Sequence, residues 1–309
     1  MIVLYKYDPL AWGEVRNKEF KELFDKAEIL MIEEHYRYPE VSVREIEDWL
    51  RKVSKGSPPE KDERVVRILN SQPSLSELED ILLNSGKEVV VERIEDITYD
   101  ENSLLNDLSA VRNFLYNAKR EEAFETFKKL FENLSEEVFR RDRKFSEEII
   151  KAQDRGRVLA MLNSSRVVNL ILKEKGYRFK QVFSPYTRNE VFGLSDESMR
   201  RFFLKKRLDE MEIWRLLISE YVPIFISNSI PPSNYKKVLA EVRNFSQSIN
   251  EEDVSKFFDF LDKAVKSAKE SKYLKTPVEK VQAIEDAIKG WLIQKGFDFS
   301  AIEGVPYIA

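Results

Sequence analysis

The sequence predicts an α/β fold: a mostly parallel sheet with a helical insertion, followed by an all-α C-terminal domain. Three observations predict it. Short apolar runs at 1–5 and 29–32 alternate with helix-period stripes, and the second run stops abruptly at Glu33, Glu34 and His35. A buried strand that ends in charges is what the C-terminal edge of a parallel sheet looks like. Residues 157–183 read as strand, tight turn, helix, glycine stop and strand, which is a βαβ unit. After about Phe192 the strand signals nearly vanish and helical spacing takes over.

The elements follow in order. The run 1–5 is a strand, and Phe20, Leu23, Phe24 and Ala27 then recur at helical spacing. The run 29–32 is the second strand. Ser42 and Glu45 form a capping box ahead of Val43, Ile46, Leu50 and Val53, so a helix follows. Gly56-Ser-Pro-Pro59 is a loop. Ser74 and Glu77 form a second capping box, and that helix runs to Gly86 as its left-handed stop. Val89-Val-Val91 is the third strand. Three helical stripes fill the middle, carried by Leu104 to Leu115, Phe124 to Leu134, and Val138 to Ile149. Residues 157–162 form a strand, Asn163-Ser-Ser165 a turn, 167–175 a helix stopped by Gly176, and 177–183 a strand. Helices are expected near 196–221, 233–247, 251–270 and 277–295, the last started by Thr276, Pro277 and Glu279. Ile224-Phe-Ile226 reads as a short strand or a buried turn. The expected domains are 1–192 and 193–309.

Composition narrows the chemistry. The chain has 309 residues, 42% hydrophobic and 34% charged, with a formal net charge of −4. That balance argues against generic affinity for nucleic acid or anionic membranes. Cysteine is absent, which excludes disulfides, thiolate metal sites and cysteine nucleophiles. His35 is the only histidine, so two-histidine zinc motifs are excluded. No basic flank precedes the opening apolar run, and no apolar run is long enough to span a bilayer. A soluble, cytoplasmic protein is expected. High charge, missing cysteine and sparse glutamine point to a thermophilic source.

Three features put polar groups where such a fold builds a site. Glu33, Glu34 and His35 end a buried strand, where a carboxylate can hold a hard metal or act as a base. The same residues also suit the start of a solvated loop. Arg141 shares a helix face with Val138 and Phe145, with Asp142 beside it. An inward arginine needs an anion: Glu33, Asp142, or a ligand carboxylate or phosphate. Asn163-Ser-Ser-Arg166 opens a helix, where backbone N–H groups and Arg166 favour anions, although without glycine the turn is no phosphate cradle. Ser165 equally serves as a helix cap. Separately, Arg200-Arg-Phe-Phe-Leu-Lys-Lys-Arg207 is a basic run with aromatics that suits nucleic acid or simply a solvated helix face.

The order of these features resembles the TraB/PrgY–TIKI group, itself similar to the ChaN-like and erythromycin-esterase-like folds. The resemblance covers roughly residues 1–185 in four pieces: the opening strand into Asp8, the stretch 24–33 ending in Glu33, the helix 138–149 with Arg141, and the strand–turn–helix 158–170 followed by Lys175-Gly-Tyr177. It implies a metal-dependent protease site where the group's histidines are present. Here Tyr5 and Asp8 stand in place of the first Gly and His, and Asn163 and Arg166 in place of the second. Glu33 and Arg141 persist. An arginine in place of a ligand opposes a cation by Coulomb repulsion.

The expected function is therefore that of a non-catalytic or strongly altered relative, a possible pseudoenzyme, binding a protein partner or small anionic ligand through a charged crevice. Its pocket residues are Glu33, Arg141 and Arg166. The alternative is a carboxylate-dependent hydrolase using Mg²⁺ or Mn²⁺ on Asp8 and Glu33. A second alternative is a nucleic-acid-associated protein using residues 200–207.

Overall fold

The computed structural model describes residues 1–7, 13–33, 43–58, 60, 63–71, 73–92, 101–163, 166–184, 201–205, 207–225, 245–246 and 248–297. Five strands, β1 (Ile2–Tyr7), β2 (Ile29–Ile32), β3 (Glu88–Val91), β4 (Val158–Asn163) and β5 (Phe179–Phe183), form one parallel sheet in the order β3-β2-β4-β1-β5. Ile2 lies opposite both Val158 and Phe179, and Ile29 lies opposite both Val158 and Glu88.

Near-continuous apolar strands form because both faces of the sheet are covered. Alternate residues Val3, Tyr5, Leu30, Ile32, Val89, Leu159 and Met161 pack on one face. Against them lie Phe20 and Phe24 of α1 (Lys18–Lys26), Leu50 and Val53 of α2 (Val43–Ser54), and Leu78 and Leu82 of α4 (Pro73–Leu82). The helix α3 (Glu63–Ser71) precedes α4. The intervening residues Ile2, Leu4, Met31, Val158, Ala160 and Leu162 face Phe145, Ile149 and Ala152 of α6 (Arg120–Gln153) and Val168 and Leu172 of α7 (Val168–Glu174). α5 (Glu101–Leu115) precedes α6.

The strand order creates a switch point. The chain leaving β2 continues outward to β3, whereas the chain leaving its neighbour β4 continues through α7 past β1 to β5. Neighbouring connections that part in opposite directions open a crevice at the carboxyl ends of the strands.

The chain divides into two compact units: residues 1–98 with 136–190, and residues 99–135 with 191–309. The expected boundary near 193 puts residues 99–135 in the N-terminal domain. They cluster instead with the C-terminal helices, because Val111 and Leu115 of α5 and Phe124, Phe127 and Phe131 of α6 share one core with that unit. Its partners there are Leu216 and Tyr221 of α8 (Glu210–Phe225), Phe257 and Leu261 of α9 (Glu251–Glu270), and Ile288 and Trp291 of α10 (Pro277–Gln294).

Several expected boundaries move. The second and third middle stripes belong to one 34-residue helix, α6, since neither proline nor glycine interrupts 120–153. The expected helix 196–221 is interrupted before Glu210. There Asp209 accepts from the Glu212 amide at 2.7 Å and Glu212 accepts from the Asp209 amide at 3.2 Å, a reciprocal cap that starts a new helix. Residues 224–225 are the end of α8, not a strand or turn. Ser74 lies inside α4 rather than capping it, and Glu77 instead accepts from the Gly13 amide with both oxygens, at 3.0 and 2.9 Å. α4 stops at Leu82, with Asn84 taking the first left-handed position at φ 61° and Gly86 the second at φ 68°. Thr276, Pro277 and Glu279 start α10 as expected. Ser42 and most of the expected helix 233–247 lie outside the described residues. Among the described residues, no helix is long and apolar enough to cross a membrane.

Candidate functional site

Strand alternation aims three charged side chains at one spot. Glu33 continues β2 onto the face used by Met31, Glu92 continues β3 onto the face used by Val90, and Lys6 follows Leu4 on β1. This is the face covered by α6 and α7. Each backbone is anchored in the sheet: the Glu33 amide donates to the Met161 carbonyl at 3.2 Å, and the Glu92 amide to the Ile32 carbonyl at 2.9 Å.

Asp142 and Arg141 arrive from α6. The buried stripe of this segment runs through Phe139, Asp142, Phe145 and Ile149, so Asp142 points inward. Arg141 flanks that stripe with its side chain 21% exposed. The expectation that Arg141 itself shares the fully inward face is therefore corrected by one helical position.

Arg166 completes the cluster from the segment between β4 and α7. Its guanidinium is buried and binds three carboxylates. Nε donates to Asp142 Oδ1. Nη1 and Nη2 donate to Glu92 Oε2 and Oε1 at 3.0 and 2.6 Å, a two-pronged geometry that fits the planar fork of arginine. Nη1 also lies 2.7 Å from Glu33 Oε1. The Phe145 ring sits 5.7 Å from the guanidinium carbon. Arg141 Nη2 reaches Glu92 Oε2 at 2.5 Å and stands 3.8 Å from Glu33 Oε1.

Backbone groups finish the satisfaction of these charges. Glu33 Oε2 accepts from the Asn163 amide at 2.6 Å, across the gap between β2 and β4. Asp142 Oδ2 accepts from the Val167 amide at 2.5 Å, where α7 begins. The buried Lys6 ammonium donates to the carbonyls of Arg166 at 2.6 Å and Asn163 at 3.3 Å, pinning the turn from below.

The electrostatics follow from burial. Burial alone would lower the Arg166 pKa, but Asp142, Glu33 and Glu92 outweigh it and hold the guanidinium protonated well above its usual range. Burial pushes the Asp142 carboxyl above the usual aspartate range, opposed by Arg166 and by the Val167 amide and reinforced by Glu33 and Glu92.

The expected trio Glu33, Arg141 and Arg166 thus meets at the switch point. Asp8, Glu34 and His35 lie outside the described residues, as does Ser165. Glu92 and Lys6 were missed. Glu92 carried the same signal as Glu33, a charged residue directly after an apolar strand run. Lys6 was visible as a lone cation continuing the first apolar run.

Of the expected ligands Asp8 and Glu33, only Glu33 lies among the described residues, and its surroundings do not suit a divalent cation. Glu33 Oε1 already has the Arg166 guanidinium 2.7 Å away, so Mg²⁺ or Mn²⁺ there would face a fixed positive charge. Among the described residues, no group of three or more acidic or histidine side chains is placed to hold a metal ion. The arginine fork spaces Glu33, Glu92 and Asp142 around itself instead.

Of the basic run, Arg200 and Lys206 lie outside the described residues. Phe202 and Phe203 are buried, and Arg201 pairs with Glu212 of α8. Leu204, Lys205 and Arg207 remain exposed.

No family model, no curated protein and no solved structure matches this chain.

Proposed function

We propose that this chain is a non-catalytic, strongly altered TraB/TIKI-like protein. In this reading the crevice above the sheet is a charge lock that fixes a binding surface for a protein partner. The observation that carries the reading is the Arg166 guanidinium seated among Asp142, Glu33 and Glu92 at the switch point. A base or metal ligand needs a lone pair free for chemistry, whereas here the carboxylates are engaged by guanidinium and backbone N–H groups. The charged cluster is buried, and its charge is spent on structure.

The binding part rests on the buried core of Glu33, Glu92, Asp142 and Arg166, which holds the carboxyl ends of β2, β3 and β4 in one fixed arrangement.

The test is thermal unfolding of the wild-type chain and Glu33→Gln with and without millimolar Mn²⁺ or Mg²⁺. The expected result is no cation-dependent rise in melting temperature in the wild type. A rise that Glu33→Gln abolishes would overturn the reading in favour of a carboxylate-dependent metal hydrolase.

A further inference from the structure

The connection between α9 and α10 leaves apolar side chains in solvent. Among the described residues, Tyr273 and Val278 are the two most exposed large apolar side chains, at 91% and 77%. Tyr273 lies in the connection 271–276 and Val278 in the first turn of α10. Pro277, beside Val278, is exposed as well. Leu274 packs against the helical core instead. This whole end of the α9–α10 pair lies among the described residues.

The tip is held in one shape. Ser271 Oγ accepts from the amides of Tyr273 at 3.2 Å and Leu274 at 3.4 Å. Glu279 Oε2 accepts from the amides of Lys275 at 2.7 Å and Thr276 at 2.8 Å. The four amides of 273–276 are thereby engaged within the tip itself. The Lys269 ammonium braces it against Asn117 Oδ1 at 2.7 Å, and the Lys280 ammonium donates to the Lys269 carbonyl at 3.3 Å. A surface already ordered loses little entropy on binding.

Its charge is positive. Residues 266–280 contain five lysines and two glutamates. Lys269 and Lys280 are the braces, and Glu279 is turned to the tip's own amides. Lys266, Lys272 and Lys275 are exposed, and among the described residues none of the three has a carboxylate partner. Exposed charges are screened beyond about 8 Å at physiological salt. The chain's net charge of −4 therefore does not set the potential at this tip.

We propose that the α9–α10 tip docks on an anionic lipid surface, with Tyr273 and Val278 entering the headgroup layer and Lys272 and Lys275 over the anionic headgroups. A tyrosine ring suits that layer, apolar at its face and polar at its hydroxyl. Apolar insertion and lysine attraction reinforce each other at such a surface. Nucleic acid would engage the lysines and stack on the tyrosine, but it offers no apolar medium for Val278 and Pro277. That difference favours lipid.

The test is co-sedimentation of the full chain with vesicles of phosphatidylcholine, alone or mixed with phosphatidylserine. The wild type should pellet with the mixed vesicles only, and high salt should release it. Lys272→Glu/Lys275→Glu should weaken binding about tenfold or more, and Tyr273→Ser/Val278→Ser by about tenfold. All four side chains are exposed, so both variants should melt with the wild type. No binding to the mixed vesicles would overturn the proposal, as would binding that either double variant leaves unchanged. Binding of single-stranded RNA that the lysine variant loses, without vesicle binding, would assign the tip to nucleic acid instead.

Discussion

Arg166 holds Glu92 across an intervening strand: the arginine follows β4, the glutamate follows β3, and β2 runs between them. One side chain thereby ties the ends of three strands, since it also meets Glu33 at the end of β2. Its value lies in partnership. A buried ion network adds little net stability over apolar packing, yet removing one member strands the others.

Arg166→Met is therefore expected to be far more damaging than a conservative change in volume. It leaves Glu33, Glu92 and Asp142 without their shared cation, and the expected loss is about 3–5 kcal/mol. Urea unfolding measures it, and a loss below about 1 kcal/mol would show that the cluster is not buried as described.

Glu92→Gln is expected to cost less, about 1.5–3 kcal/mol, because Arg166 keeps Asp142 and Glu33. The double variant with Arg166→Met should fall short of the sum of the two single losses. Strict additivity in that cycle would mean that the two residues do not interact.

Lys6→Met is expected to loosen the turn after β4, where the ammonium serves two carbonyls. The predicted cost is about 1–3 kcal/mol. Faster amide exchange at Asn163 and Val167 should accompany it. Unchanged exchange at both amides would place the lysine's role elsewhere.

Tyr5 gives a pH dependence with a definite sign. Burial, against hydrogen bonds from Asn17 and Ser184, pushes its phenol from 10.0 to about 12. Between those values the folded chain keeps a proton that the unfolded chain releases. Stability tied to Tyr5 is thus fully present below pH 10 and is lost as pH rises towards 12, by at most about 1.4 kcal/mol per pH unit. The difference in stability between wild type and Tyr5→Phe should shrink over that interval. A difference that stays constant from pH 9 to 12 would contradict the assignment.

Asp209→Ala removes the side chain that accepts from the Glu212 amide at the start of α8. About 0.5–2 kcal/mol of loss is expected, read from thermal unfolding of the chain. No change would indicate that the helix begins elsewhere.

The sheet was legible because burial on both faces leaves apolar runs at 1–5, 29–32, 89–91 and 157–162 with nothing to disguise them. Glu33 was legible for the complementary reason: a charge directly after such a run has to find a partner, and the buried Glu33 finds Arg166. Glu92 offered the same cue and went unread, since a three-valine strand gives less context than the longer runs. The inward role of Asp142 was obscured by the neighbouring Arg141, because the two differ by only one helical step, about 100°. The break before Glu210 depended on a side-chain cap at Asp209 and Glu212 inside a densely charged stretch, where many polar pairs show the same spacing. The pairing of α5 and the first half of α6 with the C-terminal helices is a long-range choice that local periodicity does not encode.

The positive charge at the centre of the crevice is covalently part of the chain. Its occupancy is consequently independent of cation supply: no chelator can withdraw it, no competing ion can exchange for it, and dialysis cannot deplete it. The three carboxylates around Arg166 thus have a counter-ion that travels with the chain through every change of buffer.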